Sequence, residues 1–155
     1  MPKAHHYTTT IEWTGNRGTG TSAYRAYSRD HVIRIPGKSE IPGSADPLFL
    51  GDPARHNPEE MLVASLSTCH MLWYLHICAD AGIVVTAYRD AAEGVMALES
   101  DGGGQFTRVT LRPEVTLTAV ADEPKARGMH HDAHEKCFIA RSVNFPVAVE
   151  PVFRN

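Results

Sequence analysis

Three cysteines, Cys69, Cys78 and Cys137, are the residues of this sequence whose chemistry depends most on their surroundings. Three cysteines are too few, and odd in number, to form a disulfide scaffold. Each is therefore a small buried apolar residue, a metal ligand or a reactive thiol, and the first case is the most frequent. A reactive thiol requires surroundings that favour the thiolate and a path by which a substrate reaches the sulfur. The elements that carry the cysteines decide among these chemistries.

The strongest helix signal covers residues 57–81 and includes Cys69 and Cys78. Asn57 is a suitable N-cap residue, Pro58 suits the first helical position, and no other proline or glycine occurs within the segment. The side chains are apolar nearly all round, which predicts a central helix that is buried on most sides. Its serine, threonine and histidine residues argue against a membrane helix.

Helical spacing places Cys69 and Cys78 on nearly opposite sides of this helix. We interpret Cys78, near the helix end, as a structural residue. Cys69 lies midway along the helix in a stripe whose other members are Leu62, Leu66, Trp73 and His76. Such a stripe alone predicts a core residue, so a catalytic role for Cys69 needs a second feature.

Cys137 supplies that feature, because it ends a second helix predicted to begin at Pro124. A cysteine at the end of one helix could meet Cys69 if the two helices pack together. Two thiols whose Cα atoms come within about 7 Å can form a disulfide. A reactive thiol with a resolving neighbour is the arrangement used in peroxide reduction.

A zinc site is the alternative for the same helix. His130, His134 and Cys137 fall at i, i+4 and i+7, with His131 adjacent, so three ligands could share one face. All three would come from one element, without a second paired motif.

The remaining segments predict strands, turns and one long loop, and together with the helices an α+β fold with mainly antiparallel sheet. The predicted strands are Tyr7 to Trp13, Thr19 to Ser28, Val32 to Ile35, Ile83 to Leu98, Phe106 to Val120 and Val147 to Phe153. The first two would form a hairpin. Residues 36–56 carry so many prolines and glycines that we expect no regular element there. We predict a single domain over residues 1–155, with an N-terminal β-hairpin and loop in 1–56, the central helix in 57–81, and strands and the second helix in 83–155.

Composition narrows the function classes. The formal net charge is −3, the basic residues are scattered, and 43% of residues are hydrophobic. This disfavours nucleic-acid binding, which needs clustered lysine and arginine. The polar N-terminus lacks the apolar region of a signal peptide, so we expect a cytoplasmic protein without a membrane partner.

The segment 57–62, Asn-Pro-Glu-Glu-Met-Leu, with Cys69 ten residues after Glu59, resembles the central signature of the OsmC/Ohr family of cysteine-dependent hydroperoxide reductases. A second family feature is a cysteine near the end of a later helix, which Cys137 matches. The opening segment 11–20 is also similar, so the resemblance covers most of the chain.

The resemblance implies a thiol peroxidase that needs no cofactor and no metal. Cys69 would attack the peroxide as a thiolate and become a sulfenic acid, and Cys137 would condense with it to an intramolecular disulfide. An external dithiol, either a low-molecular-weight thiol or a lipoyl-type reductant, would then restore both thiols.

The resemblance also implies an arginine beside the thiolate, held by the glutamate at the helix start, which Glu59 matches. Arg17 in the first turn fits the position used by the Ohr-like branch, and Arg55 is the alternative from the loop before the helix. Arg25 and Arg34 are more distant candidates.

The family fold implies an intertwined homodimer, with antiparallel β-sheets packed on a long buried central helix and a second helix, and with sites lined by both chains. The chain departs from the family after Cys137, where Phe138-Ile139-Ala140 replaces a Pro-Val-Ser type of sequence. Together with Trp73, this predicts a different substrate pocket. The alternative to a peroxidase is a zinc-binding or non-catalytic small-molecule-binding protein on the same fold.

Overall fold

The computed structural model describes residues 1–154, which form two long helices and nine strands. Asn155, the last residue of the predicted domain, lies outside the described residues. The chain divides into two compact units, Met1–Met61 and the remainder from Leu62 onward. The prediction of α+β structure is confirmed, whereas the single domain stays a prediction.

The first unit contains one antiparallel sheet in the order β1-β2-β3. Its strands are β1 (Thr10–Trp13), β2 (His31–Arg34) and β3 (Ile41–Gly43). The predicted strand at Thr19 to Ser28 is wrong, because these residues form turns and β1 pairs instead with β2. The cause is local: the Asn16 side chain accepts hydrogen bonds from the backbone N–H groups of Gly18 and Gly20, at 2.9 and 3.0 Å. Both glycines have positive φ, which turns the chain away from an extended path.

The loop at 36–56 is more ordered than the sequence predicted. It contains β3 and a 3₁₀ turn at Pro47–Phe49, so the expectation of no regular element is wrong. Pro42 is tolerated in β3 because this strand lies at the edge of its sheet. Buried Ser44 ties the loop together, donating to Asp30 at 3.1 Å and accepting from the Asp52 N–H at 3.0 Å.

The second unit contains two three-stranded sheets, in the orders β4-β7-β9 and β5-β6-β8. Each predicted long strand is wrong as a single element, because it divides into two strands that belong to different sheets. The last two strands pair in parallel, β8 with β6 and β9 with β7, and the other pairs are antiparallel. The strands are β4 (Val85–Asp90), β5 (Glu93–Leu98), β6 (Gly104–Leu111), β7 (Pro113–Leu117), β8 (Val147–Val149) and β9 (Val152–Arg154).

The change of sheet occurs where Asp90 ends β4 and Arg112 separates β6 from β7. The Asp90 carboxylate accepts the Arg112 backbone N–H at 2.6 Å. Pro113 has no backbone N–H to offer a ladder at this point. A side-chain acceptor therefore replaces ladder pairing at the junction, and the strands leave one sheet for the other.

The central helix, α1 (Pro58–Asp80), has the predicted start and end. Asn57 and Glu60 exchange hydrogen bonds as in a capping box, with the Glu60 N–H donating to the Asn57 side chain at 2.9 Å. Gly82, with φ of 73°, follows the helix end. By length and composition α1 could also cross a membrane, and it is the one helix among residues 1–154 of which this is true, although a globular core helix meets the same criteria.

Only one stripe of α1 is buried, so the expectation that the helix is buried on most sides is wrong for this chain. The stripe repeats every four residues and comprises Leu66, His70, Tyr74 and Cys78. Tyr74 and Cys78 pack with α2 (Glu123–Lys136) and β7 in one core cluster. Leu66 packs with β6 in a second core cluster. The core therefore depends on α1 in both clusters.

Leu66 gives a direct test of this core. Because its side chain is fully buried, Leu66→Ala should lower the free energy of unfolding by about 2–5 kcal/mol through lost burial and a residual cavity. Leu98→Ala makes the same change at a residue that is 57% exposed and should cost no more than about 0.5 kcal/mol. Denaturant unfolding of the reduced proteins measures both values, and equal losses would contradict this core.

Candidate active site

Cys69 and Cys137 are adjacent in the structure. Cys69 lies on α1 and is half-buried, while Cys137 immediately follows α2 and is 1% exposed. Burial, with a smaller contribution from the neighbouring Cys69, raises the pKa of the Cys137 thiol to about 11. The Ala140 backbone N–H donates to the Cys137 sulfur at 3.4 Å and opposes this rise. The structure thus brings together the two thiols singled out by the sequence, and their roles stay predictions.

A cavity of about 300 Å³ opens beside Cys69, and we call it the thiol cavity. It is lined by Ser65, Thr68, Cys69, Leu72, Trp73 and Phe138. Trp73 and Phe138 meet edge to face, with ring centroids 5.5 Å apart, and form an aromatic wall. Phe138 is the first residue of the segment that departs from the family pattern, so this departure contributes directly to the cavity.

Cys78 lies in the core, with its sulfur 3.8 Å from the Met129 sulfur. Burial raises the pKa of its thiol. Both observations agree with the structural interpretation of this cysteine.

The predicted zinc ligands do not form a site. Among residues 1–154, no group of three or more His, Cys, Asp or Glu side chains could hold a metal ion. Instead, His130 pairs with His70, with His130 Nδ1 and His70 Nε2 2.9 Å apart, and Cys137 lies beside Cys69. Helical spacing predicted a common face, but the three side chains meet different neighbours.

Glu59 lies in the first unit and lines a cavity of about 320 Å³, which we call the arginine cavity. The other residues around it are Trp13, Tyr27, Arg29, His31, Ser44, Ala45, Asp46, Phe49 and Pro58. Arg29 is the arginine that shares this cavity with Glu59. The sequence patterns did not point to Arg29.

Two tyrosines hold the Arg29 guanidinium in place. Its Nη1 donates to the Tyr27 carbonyl and its Nη2 to the Tyr24 carbonyl, each at 2.7 Å. The guanidinium carbon also lies 4.1 Å from the Tyr27 ring centroid and 4.5 Å from that of Tyr24. Such a cation is fixed before any ligand arrives. Tyrosines two and five residues before an arginine are the sequence signal that could have identified it.

The arginines considered from sequence lie in other surroundings. Arg17 is exposed in the turn after β1. Arg55 donates to the His31 carbonyl at 3.1 Å and lies 3.6 Å from Asp30, which makes it part of the folded loop. Arg34 pairs with Glu12 and Glu40 on the exposed side of the first sheet, and Arg25 is exposed.

Comparison with known proteins agrees with this architecture. The family described as OsmC-like protein matches residues 51–152. VCA0330 of Vibrio cholerae O1 biovar eltor str. N16961, an OsmC-like protein of unknown function, is 35% identical, and its structure aligns with 96% of this chain and 100% of that chain at a TM-score of 0.85. The protein YmaD of Bacillus subtilis (strain 168) is 24% identical over 152 residues, which span 94% of this chain and 91% of YmaD.

The organic hydroperoxide resistance protein OhrB of Bacillus subtilis shares the fold at 17% identity. The alignment covers 97% of this chain and 98% of OhrB, with a TM-score of 0.62.

The buried histidine pair predicts how stability depends on pH. Burial lowers the pKa of His70 to about 4 and that of His130 to about 3. Below the ordinary histidine pKa of about 6.5, the unfolded chain binds protons that the folded chain excludes. Stability is therefore complete above pH 6.5 and falls as the pH drops towards 4. At pH 5 each histidine should account for a loss on the order of 2 kcal/mol.

Urea unfolding at pH 7 and pH 5 measures this loss. His130→Gln should remove about half of the histidine-dependent difference between the two pH values. His76→Gln, which alters a side chain that is 61% exposed, should leave the difference unchanged. The same pH dependence in His130→Gln and the parent would contradict a neutral buried pair.

Proposed function

Because this chain belongs to the OsmC-like protein family, we propose that it is a thiol-dependent peroxidase that reduces organic hydroperoxides. Family membership confirms the predicted OsmC/Ohr resemblance and the OsmC-like fold. Solved neighbours of this fold include proteins named for organic hydroperoxide resistance. The observation that carries the proposal is a half-buried thiol, Cys69, in a largely apolar cavity with a second thiol, Cys137, beside it.

In the proposed reaction the Cys69 thiolate attacks the terminal peroxide oxygen. The O–O bond breaks, the alkoxide takes a proton and leaves as an alcohol, and Cys69 becomes a sulfenic acid. The Cys137 sulfur then attacks the Cys69 sulfur, water leaves, and a disulfide forms. An external thiol or lipoyl-type dithiol reduces the disulfide. No metal or bound cofactor takes part in this scheme.

The pKa of Cys137 suits a resolving thiol. Its high value keeps Cys137 protonated at neutral pH, so Cys137 does not compete for the peroxide. Part of the rise comes from Cys69 and depends on that neighbour being an ionisable thiol.

The thiol cavity favours a substrate with an apolar body. Leu72, Trp73 and Phe138 supply apolar and aromatic surface, and only Ser65 and Thr68 add hydroxyl groups. Burial of apolar groups favours binding by roughly 25 cal/mol per Å². An alkyl or aryl hydroperoxide would gain this energy, whereas hydrogen peroxide would not.

We further propose Arg29 as the arginine that Glu59 holds, in place of Arg17 or Arg55. The proposal rests on the arginine cavity, which Arg29 and Glu59 both line. A fixed guanidinium stabilises a thiolate and the negative charge that develops on the peroxide oxygen.

The geometry of α1 adds a requirement for a second copy of the chain. Ten residues of α-helix rise about 15 Å, which is too far for Glu59 to act on Cys69 of the same helix. In the homodimer that we propose, Glu59 and its arginine would serve the Cys69 of the partner chain.

The redox step predicts a definite thiol count. One equivalent of tert-butyl hydroperoxide should consume two of the three thiols, and a dithiol should restore both. Cys69→Ser should not react. Cys137→Ser should yield a sulfenic acid on Cys69 that dimedone traps, without an intramolecular disulfide.

Cys78→Ala is the matched control, because it removes the remaining thiol from the core and should still lose two thiols. Consumption of peroxide by Cys69→Ser at the parental rate would rule out the assignment. No reaction in the parent protein would favour a non-catalytic small-molecule-binding protein.

The choice of arginine can be tested separately. Arg29→Gln should slow oxidation of Cys69 by cumene hydroperoxide by about 100-fold, since a fixed charge at the reacting atoms is lost. Arg17→Gln, the same substitution at an exposed turn residue, should change the rate by no more than about twofold. Stopped-flow kinetics on variants of unchanged circular dichroism measure both rates, and the reverse order would restore Arg17 to the role.

A further inference from the structure

A second cavity of about 370 Å³ lies between α2 and the C-terminal strands, and we call it the histidine cavity. On the helix side it is lined by Arg127, His130, His131 and His134. On the strand side it is lined by Val147, Val149 and Pro151. None of these residues lines the thiol cavity, and the proposed peroxidase reaction uses none of them.

His130 is the buried polar group of this cavity. His130 is only 3% exposed, and its Nδ1 forms the hydrogen bond with His70. Its Nε2 is buried and has no hydrogen-bond partner among residues 1–154, and the same holds for Nδ1 of His134. Buried polar atoms of native proteins are nearly always paired with protein or ordered water, so these two atoms on residues of one cavity are available to a polar partner.

Arg127 is the arginine that lines the cavity, and the Glu123 carboxylate beside it offsets part of its charge. One guanidinium nitrogen donates to Glu123 at 2.9 Å and the other to the Pro151 carbonyl at 3.2 Å. The guanidinium also lies over the Phe153 ring, 4.8 Å from its centroid. These contacts fix the cation at the cavity wall, and among residues 1–154 no acidic side chain lines the cavity.

We propose that the histidine cavity binds a small organic carboxylate with an apolar body. The Nε2–H of His130 would donate to one carboxylate oxygen, Arg127 would supply the opposite charge, and the apolar body would lie against Val147 and Val149. The cavity is large enough for a chain of several carbons.

Neutral His130 can donate a hydrogen bond to the carboxylate, so the histidine pair need not take up a proton when this ligand binds. His130 is neutral at pH 7, because burial, His70 and Arg127 all lower its pKa, to about 3, so its ring carries one N–H. If His70 Nε2–H donates to His130 Nδ1, that N–H is at Nε2, the ring nitrogen that has no partner among residues 1–154. Carboxylate binding therefore selects one tautomer of the pair, which gives the proposal a spectroscopic signature.

Nitrogen NMR of the intact protein labelled with ¹⁵N-histidine tests the proposal, with sodium octanoate as the probe and octanol as its uncharged match. Octanoate should shift the His130 Nε2 resonance saturably at concentrations up to about 10 mM, with the proton on Nε2. Octanol should bind at least about tenfold more weakly, since it lacks the charge that Arg127 recognises.

Arg127→Gln, at an exposed residue, should weaken octanoate binding about tenfold and leave octanol binding unchanged. His76→Gln should retain the octanoate effect. Cys69→Ser should bind octanoate like the parent, so the peroxidase proposal can fail without affecting this one. No saturable shift in the parent, equal binding of octanol and octanoate, or unchanged binding in Arg127→Gln would each overturn the proposal.

Discussion

The contact between α1 and α2 through His70 and His130 is the interaction on which the rest of the structure depends. Tyr74, one turn after His70, stacks on the His130 ring with centroids 3.9 Å apart and donates to the Ala126 carbonyl at 3.1 Å. His70 of α1 contacts His130 of α2, and Tyr74, later in α1, contacts Ala126, which is earlier in α2. The two helices are therefore antiparallel here. In this antiparallel arrangement the C-terminal end of α2 lies beside the N-terminal part of the buried stripe of α1, which begins at Leu66. Cys137, which follows α2, is thereby brought to Cys69. A simple apolar stripe could slide by one turn, whereas sliding here would leave the two buried imidazoles without their mutual hydrogen bond.

A second constraint ties α1 to the sheets. Ser67 donates to one oxygen of Asp90 at 2.5 Å, and the other oxygen accepts the Arg112 backbone N–H. The carboxylate that ends β4 thus joins the helix, two residues before Cys69, to the point where the strands change sheets. The thiol lies on a segment fixed from both sides, by α2 and by this junction, which is the rigidity that a precisely positioned nucleophile requires.

How far the sequence predicted these features depends on the range of the interactions. The ends of α1 were predictable because Asn57, Glu60 and Gly82 act on their immediate neighbours. The division of the long strands was not, since it depends on Asp90 reaching Arg112 across the hairpin. Proximity of Cys69 and Cys137 followed from a family pattern that already contains the long-range packing. The surroundings of Arg29 were not predictable, because folding is needed to bring it to the cavity that it shares with Glu59.

The surface that α1 leaves uncovered bears on how the proposed site would be completed. Leu72 is 59% exposed and Phe138 67%, and both line the thiol cavity. Large apolar side chains grouped around a cavity mark a binding surface more often than an inert one. Glu59, to which we assign a role in the proposed reaction, precedes Cys69 by about three helical turns in α1. In the proposed dimer, the thiol cavity of one chain and the arginine cavity of the other would be complementary halves of one site. A second copy of the chain packed on α1 would cover the apolar surface and join the two, so the dimer and the activity are one proposal.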